Sequence, residues 1–404
     1  MNWRRNLYAV TATTFIGFTG FTLVMPFLPL YFEQLGLTDV GEIALWSGLS
    51  LGATPAVTAL MAPLWGRLSD RYGRKIMVQR SVLSFVVVMA AMAFVTEPWH
   101  VFALRVFQGL FAGYGALALT MAADSAPKEQ TAYAIGVVQT AQRLGPALGP
   151  VIGGIVAQAV GIRNAFFVTA SFYVIAFVVV TVMYDERGVM QRARETGGGR
   201  VTFRSVLAFE NLILLMVVIF GLQFVDRSFG PVLPLFVGQL GTSGTQVPLI
   251  AGLLFSITAA TAAIGNNLCG RLLRTMPARQ LITVACAIAA AGVCAYLLAG
   301  SPWWLVLPTA VFGIAIGTAT TAAYTAASSV IPENARGTGF GMLTTASLVG
   351  LAASPIINGL LGATSIRMVF IVDGIILTAL ALMVSRLMIL APTRTTSAPP
   401  NEEI

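Results

Sequence analysis

Apolar stretches long enough to cross a lipid bilayer recur along this chain, and that recurrence limits its fold more than any other feature. A transmembrane helix needs roughly 20 mostly apolar residues. Twelve stretches qualify, at about 8–31, 44–65, 76–95, 100–122, 132–157, 164–184, 211–237, 246–268, 279–299, 302–327, 338–362 and 367–391. In hydrocarbon every backbone polar group must be satisfied within the structure, so such a chain folds as a helical bundle. Only 10% of its 404 residues are charged, against about 25% in soluble proteins. The expected fold is an all-α polytopic membrane protein with twelve transmembrane helices.

Short connections join these spans, except at 185–210 (DERGVMQRARETGGGRVTFRSVLAFE), which is charged and contains Gly197-Gly198-Gly199. This segment divides the chain into an N-terminal six-helix bundle (1–184), a linker loop (185–210), a C-terminal six-helix bundle (211–391) and a tail (392–404). An even number of spans puts both termini on one side. Nineteen of the 24 Lys and Arg residues lie on that side or at helix ends facing it. Arg163 and Arg367 lie in loops on the other side, and Arg105, Arg143 and Arg227 fall within spans. Basic residues collect in cytoplasmic loops, so the termini and linker are expected in the cytoplasm and the spans in the inner membrane. The net charge of +8 is thus a topology signal, and no nucleic-acid partner is expected.

The chemistry of an enzyme is not visible. Cys269, Cys286 and Cys294 and the single histidine, His100, have no metal-ligand spacing. Gly197-Gly198-Gly199-Arg200 lacks the Gly-Lys-Ser/Thr ending of a phosphate-binding loop. No cofactor and no cleavable signal peptide are expected. The chain itself is not an ATP-driven pump.

The two halves repeat one another. PFLPLYFEQLG (Pro26–Gly36) aligns with PVLPLFVGQLG (Pro231–Gly241) at an offset of 205. Trp65-Gly66-Arg67-Leu68 faces Cys269-Gly270-Arg271-Leu272 at 204, and Pro127, Gly136, Gly145 and Pro150 match Pro332, Gly341, Gly350 and Pro355 at 205. Two six-helix units in the same orientation form a parallel repeat. Such repeats hold a substrate at their interface near the membrane midplane and rock against each other to expose it to either side.

Between spans 2 and 3, Gly66-Arg67-Leu68-Ser69-Asp70-Arg71-Tyr72-Gly73-Arg74-Lys75 offers glycines for a tight turn, an acid for a helix N-terminus and an arginine within reach of Asp124 at the end of span 4. A plain basic turn is the competing reading of this loop alone. The order Gly66-x-Leu68-x-Asp70-Arg71-x-Gly73-Arg74-Lys75 resembles the signature loop of the major facilitator superfamily. Arg105-Val106-Phe107-Gln108-Gly109 in span 4 resembles the Arg-x-x-Gln-Gly motif of its proton-coupled members. Gly145-x-x-x-Gly149-Pro150-x-x-Gly153-Gly154 in span 5 is similar to the motif of its drug/proton antiporters, and the N-terminal run through Tyr31 resembles bacterial twelve-span multidrug exporters.

The resemblance implies roles. In span 5 two prolines and four glycines fall within ten residues, breakers that cost about 3 and 1 kcal/mol each in a soluble helix. Gly145, Gly149 and Gly153 share one face, expected to pack against a helix of the other half and to seal the cytoplasmic side of a closed gate, biasing transport outward. Close packing without a directional role is the other reading. A weaker copy, Gly350…Pro355…Gly359 in span 11, would complete the gate. Spans 1, 4, 7 and 10 would line a cavity. Charge inside a membrane is costly and marks function by default. Arg105 would meet the proton path, Asp226 in span 7 is the expected protonatable carboxylate, and Asp373 in span 12 is its substitute. A permanent Asp–Arg pair that only joins helices is the competing reading of Asp226.

Phe18, Tyr31, Gln108, Tyr114, Gln142, Arg143, Gln223, Arg227 and Tyr324 are the expected cavity residues, polar groups added to the phenylalanine-rich wall of span 1 (Phe15, Phe18, Phe21, Phe27). Span 1 has no acid between Thr11 and Pro26, so neutral, zwitterionic or anionic amphiphiles fit better than permanent cations. The expected activity is monomeric, proton-exchanging export of small amphipathic molecules. A dedicated exporter of one metabolite, sugar or siderophore is the alternative.

Overall fold

Apolar length dictates the architecture. The structure, a computed structural model, describes residues 3–127, 130–186, 211–331 and 336–388, with side chains 63, 66, 67, 70, 116, 131, 132, 336–338 and 340 excepted. The linker beyond 186 and the tail lie outside the described residues. The first half comprises α1 (Trp3–Val24), α2 (Leu28–Gln34), α3 (Val40–Tyr72), α4 (Arg74–Met92), α5 (Pro98–Phe111), α6 (Tyr114–Ser125), α7 (Thr131–Val160) and α8 (Ile162–Met183). The second comprises α9 (Leu212–Ser228), α10 (Leu233–Gln239), α11 (Val247–Leu272), α12 (Ala278–Cys294), α13 (Val306–Val330), α14 (Arg336–Thr364) and α15 (Ile366–Leu387).

Among the described residues ten helical stretches are long and apolar enough to span a membrane, and α9 with α10, bent by 43°, makes an eleventh if the pair is one span. At the remaining expected position, 100–122, two shorter helices, α5 and α6, follow one another. They part at Ala112-Gly113, where Gly113 has φ +123°, a conformation that L side chains disfavour. The chain is a multi-pass helical membrane protein with ten or eleven such passages among the described residues, and the stretch expected as a further one is divided into two helices.

Proline explains the breaks in the first span of each half. Pro26 starts a short 3₁₀ turn at Met25–Phe27 between α1 and α2. Pro231 lies in the turn between α9 and α10. A proline removes one backbone donor and crowds the preceding turn. The repeat is therefore visible as geometry, since Leu28–Gln34 and Leu233–Gln239 stand at the offset of 205.

The halves meet along two helix pairs, α3 with α14 and α7 with α11. Small residues allow the backbones to touch, the usual solution where lipid supplies no hydrophobic drive between helices. A Cβ at Gly48 would fall on the Pro355 carbonyl, and one at Gly252 on the Pro150 carbonyl. Gly154 faces the Pro248 carbonyl, and Gly41 faces Ala363. The Val151 amide, beside a proline kink, donates to Ser256 Oγ across the halves at 3.2 Å. Every one of these contacts lies in the part of the helices remote from the described chain ends.

Towards the chain ends the halves part. A Cβ at Gly136, Gly270 or Gly341 would meet nothing within 4 Å. Gln139, Thr140, Arg143 and Leu144 on α7, and Asn267 on α11, are exposed. The molecule is thus sealed on one side and holds a cleft open on the side of its termini.

Two substitutions separate packing within a half from closure between halves. Gly153→Val places its Cβ on the Leu23 carbonyl of α1 and should lower thermal stability by about 1–3 kcal/mol, read as a melting shift in detergent. Gly48→Val, directed at the other half, should expose a cysteine introduced at Pro355 to an impermeant thiol reagent applied from the sealed side.

Candidate transport site

The glycine face of α7 does not address the other half. Gly145 lies against Phe18 and Thr19, Gly149 against Thr19 and Thr22, and Gly153 against Leu23, all on α1 of the same half. The face turned to the other half is that of Pro150 and Gly154, a quarter-turn to a third of a turn away. Nor does the stretch seal the side of the termini. The contacts it makes with α11, at Pro150, Val151 and Gly154, lie on the opposite side. The copy in α14 behaves alike. Gly350 packs on the Phe220 carbonyl of its own half, whereas Pro355 and Gly359 meet Gly48 of α3. Where the first half has Gly149 and Gly153, the second has Ser354 and Asn358. Ser354 Oγ donates to the Phe224 carbonyl, and Asn358 Nδ2 to the Ser354 carbonyl at 3.0 Å.

Arg105 is 1% exposed. Its Nε donates to the Ser50 carbonyl at 3.1 Å, its Nη1 to Gln108 Oε1, and its guanidinium lies 5.5 Å from the Phe21 ring centroid. Thr54 Oγ1 donates back to the Arg105 carbonyl at 2.8 Å. Arg105 therefore ties α5 to α3 inside the first half, and Gln108, its partner on the same helix and fully buried, is not a cavity residue in this conformation. Tyr31 is likewise corrected. It is buried beyond the break in span 1, donating to the Met92 carbonyl at 2.6 Å against Phe166. Tyr114 is buried behind Phe18, edge-on to it at 5.5 Å.

Other expected residues do reach the cleft or its wall. Arg143 is exposed and Gln142 half-buried, donating to the Gly115 carbonyl at 2.9 Å. Gln223 Nε2 donates to Ser347 Oγ at 2.8 Å, a hydroxyl that Tyr324 also reaches. Asp226 and Arg227 form an ion pair at 3.4 Å, their side chains 24% and 48% exposed. One turn beyond Asp226, Gly230 faces Leu51 of the first half, so Asp226 lies just below the seal. Asp373 is fully buried. It sits behind α9, where Ser228 Oγ donates to Oδ2, and it does not face the cleft.

The loop after α3 is held by the expected Arg74–Asp124 pair and by groups that the sequence did not single out, Glu186 first. Gly73 has φ +95°, and a Cβ there would strike the Glu186 carboxylate. Glu186 accepts the Arg74 amide at 2.6 Å and the Lys75 amide at 3.3 Å, a carboxylate at a helix N-terminus. Arg74 pairs with Asp124. Lys75 Nζ donates to the Thr181 and Tyr184 carbonyls at 2.9 and 2.6 Å. Arg71 is exposed beside the Tyr72 ring. Gly66 and Asp70 belong to α3, and their side chains lie outside the described ones. Asn6 closes the group, exchanging hydrogen bonds with the Asp185 backbone at 2.8 and 3.0 Å. The one sequence signal for Glu186 was an acid placed directly after a span and before a basic run.

Two like helical halves around a cleft closed at one end define a transporter that works at the interface of its repeats. A model described as the Major Facilitator Superfamily matches residues 10–355 and 290–404; the chain belongs to that superfamily. Among its relatives are the multidrug resistance protein MdtG of Salmonella paratyphi A, 32% identical over 317 residues and 78% of each chain, and a multi-drug resistance efflux pump PmrA homolog of Lactococcus lactis, 28% identical over 358 residues and 89% and 88% of the two chains. Among solved structures, a bacterial homolog of the lysosomal transporter Spinster superposes with TM-score 0.79 at 17% identity, covering 96% of this chain and 97% of that one. A D-xylose–proton symporter superposes with TM-score 0.74 at 14% identity, over 95% and 97%.

Removing the charge at Glu186 tests the clamp. Glu186→Gln keeps an acceptor but loses the helix-end charge, and should cost about 0.3–1 kcal/mol. Glu186→Ala should cost about 1–2. Thermal unfolding in detergent reads both.

Proposed function

We propose that this protein exports small amphipathic compounds, drugs among them, across the cytoplasmic membrane in exchange for protons. The position of Asp226 carries the reading. It is an ion-paired acid at mid-span, part-exposed at the head of the cleft, one turn from a contact between the halves. The names of relatives aligned over most of the chain support multidrug efflux as the activity. The loop arginines and lysines, with positive charge collecting on the cytoplasmic side, support cytoplasmic termini. With that orientation the cleft faces the cytoplasm, where an exporter must load.

Exchange then follows from the geometry. The open cleft admits a compound from the cytoplasm or the inner leaflet. Rocking parts the α3–α14 and α7–α11 contacts on the outer side and closes the cytoplasmic one. Exposed outward, Asp226 takes up a proton as the compound leaves. The return to the inward state must then release that proton to the cytoplasm. Arg105 serves by holding α5 against α3 beside Phe21, and Asp373 by holding α9 through Ser228. Neither a cofactor nor a second copy of the chain is needed.

The experiment is dye and antibiotic accumulation in efflux-deficient cells, with and without a protonophore. Wild type should lower accumulation and the protonophore should restore it. Asp226→Asn should abolish the effect while the protein still reaches the membrane. Full activity in that variant would remove Asp226 from the mechanism and move the proton to Asp373.

A further inference from the structure

Arg143 is a charge at mid-membrane that nothing in the closed contacts uses. It lies eleven residues before Gly154, so the two point within about 20° of one direction on α7, towards the other half. It lies seven residues before Pro150, roughly 10 Å nearer the termini. There α11 has turned away, and Arg143 is exposed without an ion pair among the described residues. An exposed guanidinium with its donors free is a receptor for a carboxylate or another acid group.

On the described helices that face Arg143 from the other half, α9, α11 and α14, Asp226 is the only acid. Its level follows from the repeat. Phe224 is matched with Ser354 by a hydrogen bond, so Asp226 stands level with Ile356, whose counterpart at an offset of 205 is Val151. Asp226 thus lies eight residues, roughly 12 Å, deeper than Arg143. Between the two levels is Phe18, packed at Gly145 and Gly115. The cleft therefore presents, in order of depth, a cation on one half, an aromatic ring, and an acid on the other half.

We propose that the substrates this cleft prefers are elongated zwitterionic amphiphiles, their acid group taken by Arg143 and their amine by Asp226. The inference rests on the exchange reading above and deepens it. Linkage decides between substrate charges. A proton on Asp226 makes the cleft more positive, so an anion alone would bind together with the proton instead of displacing it. A cation alone competes for Asp226 but is repelled by Arg143 and Arg227. A zwitterion competes with the proton at one end and discharges Arg143 at the other. Arg105, buried in the first half, and Asp373, buried behind α9, reach neither end.

The test uses the full chain in proteoliposomes with an imposed pH gradient and three fluorescent probes that share one aromatic core. One carries an acid, one an amine, and one both at opposite ends. Wild type should take up the zwitterion with a KM about tenfold below that of the amine probe. Arg143→Gln should bring that ratio close to one, and Arg143→Lys should restore part of it. Equal KM values in wild type, or a preference that survives Arg143→Gln, overturns the proposal. Proton-driven movement of the amine probe with no preference for the zwitterion leaves the exchange reading standing and removes only this inference. No proton-driven movement of any probe removes both.

Discussion

The structure depends on backbone meeting backbone between its halves. At Gly48 and Gly252 there is no room for a side chain, because a carbonyl of a proline on the opposing helix occupies the place of the Cβ. Such contacts have the property that a gate requires. They are close enough to exclude a molecule when made, and they lack the interlocking side chains that would make parting slow or costly. The inter-half hydrogen bond from Val151 to Ser256 adds register without adding a charge to be broken. The prolines that shape these helices also leave carbonyls outside the helical ladder, which is why a stretch so poor in helix propensity persists in lipid.

Within each half the interactions are of another kind. The first half is clamped on the side of the termini by Glu186, Arg74, Asp124 and Lys75, and farther in by Arg105 on the Ser50 carbonyl. These are charged or charge-assisted contacts, stronger than neutral hydrogen bonds. Rigid halves joined by a smooth seam can rock as units. The chemical asymmetry between them follows from drift of the repeat. Phe21 occupies the position equivalent to Asp226, and Gly149 and Gly153 have become Ser354 and Asn358 in the second copy. One half holds its cation in its own core, and the other holds its acid where the seam opens.

Much of this was legible in the sequence. Apolar length located the passages, the offset of 205 paired the halves, and the Arg74–Asp124 contact followed from spacing. Partners at long range were not legible. Gly145, Gly149 and Gly153 announce a close approach, but a one-dimensional stripe does not say which helix it faces, and here it is α1 of the same half. Tyr31 and Gln108 were polar groups on spans expected to line a cavity. The break at Pro26 and the buried Arg105 turned both inward, a tertiary outcome that no local pattern encodes. Gly113 hid the split between α5 and α6 for the same reason that glycine is common in membrane helices, since its permissive backbone reads as packing until its φ is seen.

The central claim is that one rocking motion exchanges an inner cleft for an outer one. Spin-label distances on a cysteine-free background test it most directly, with one pair at Gln139 and Asn267 beside the open cleft and another at Val160 and Gln246 on the sealed side. A change of pH together with a transported compound should shorten the first distance and lengthen the second in the same population. Distances that stay fixed, or that change in the same direction, would contradict the account.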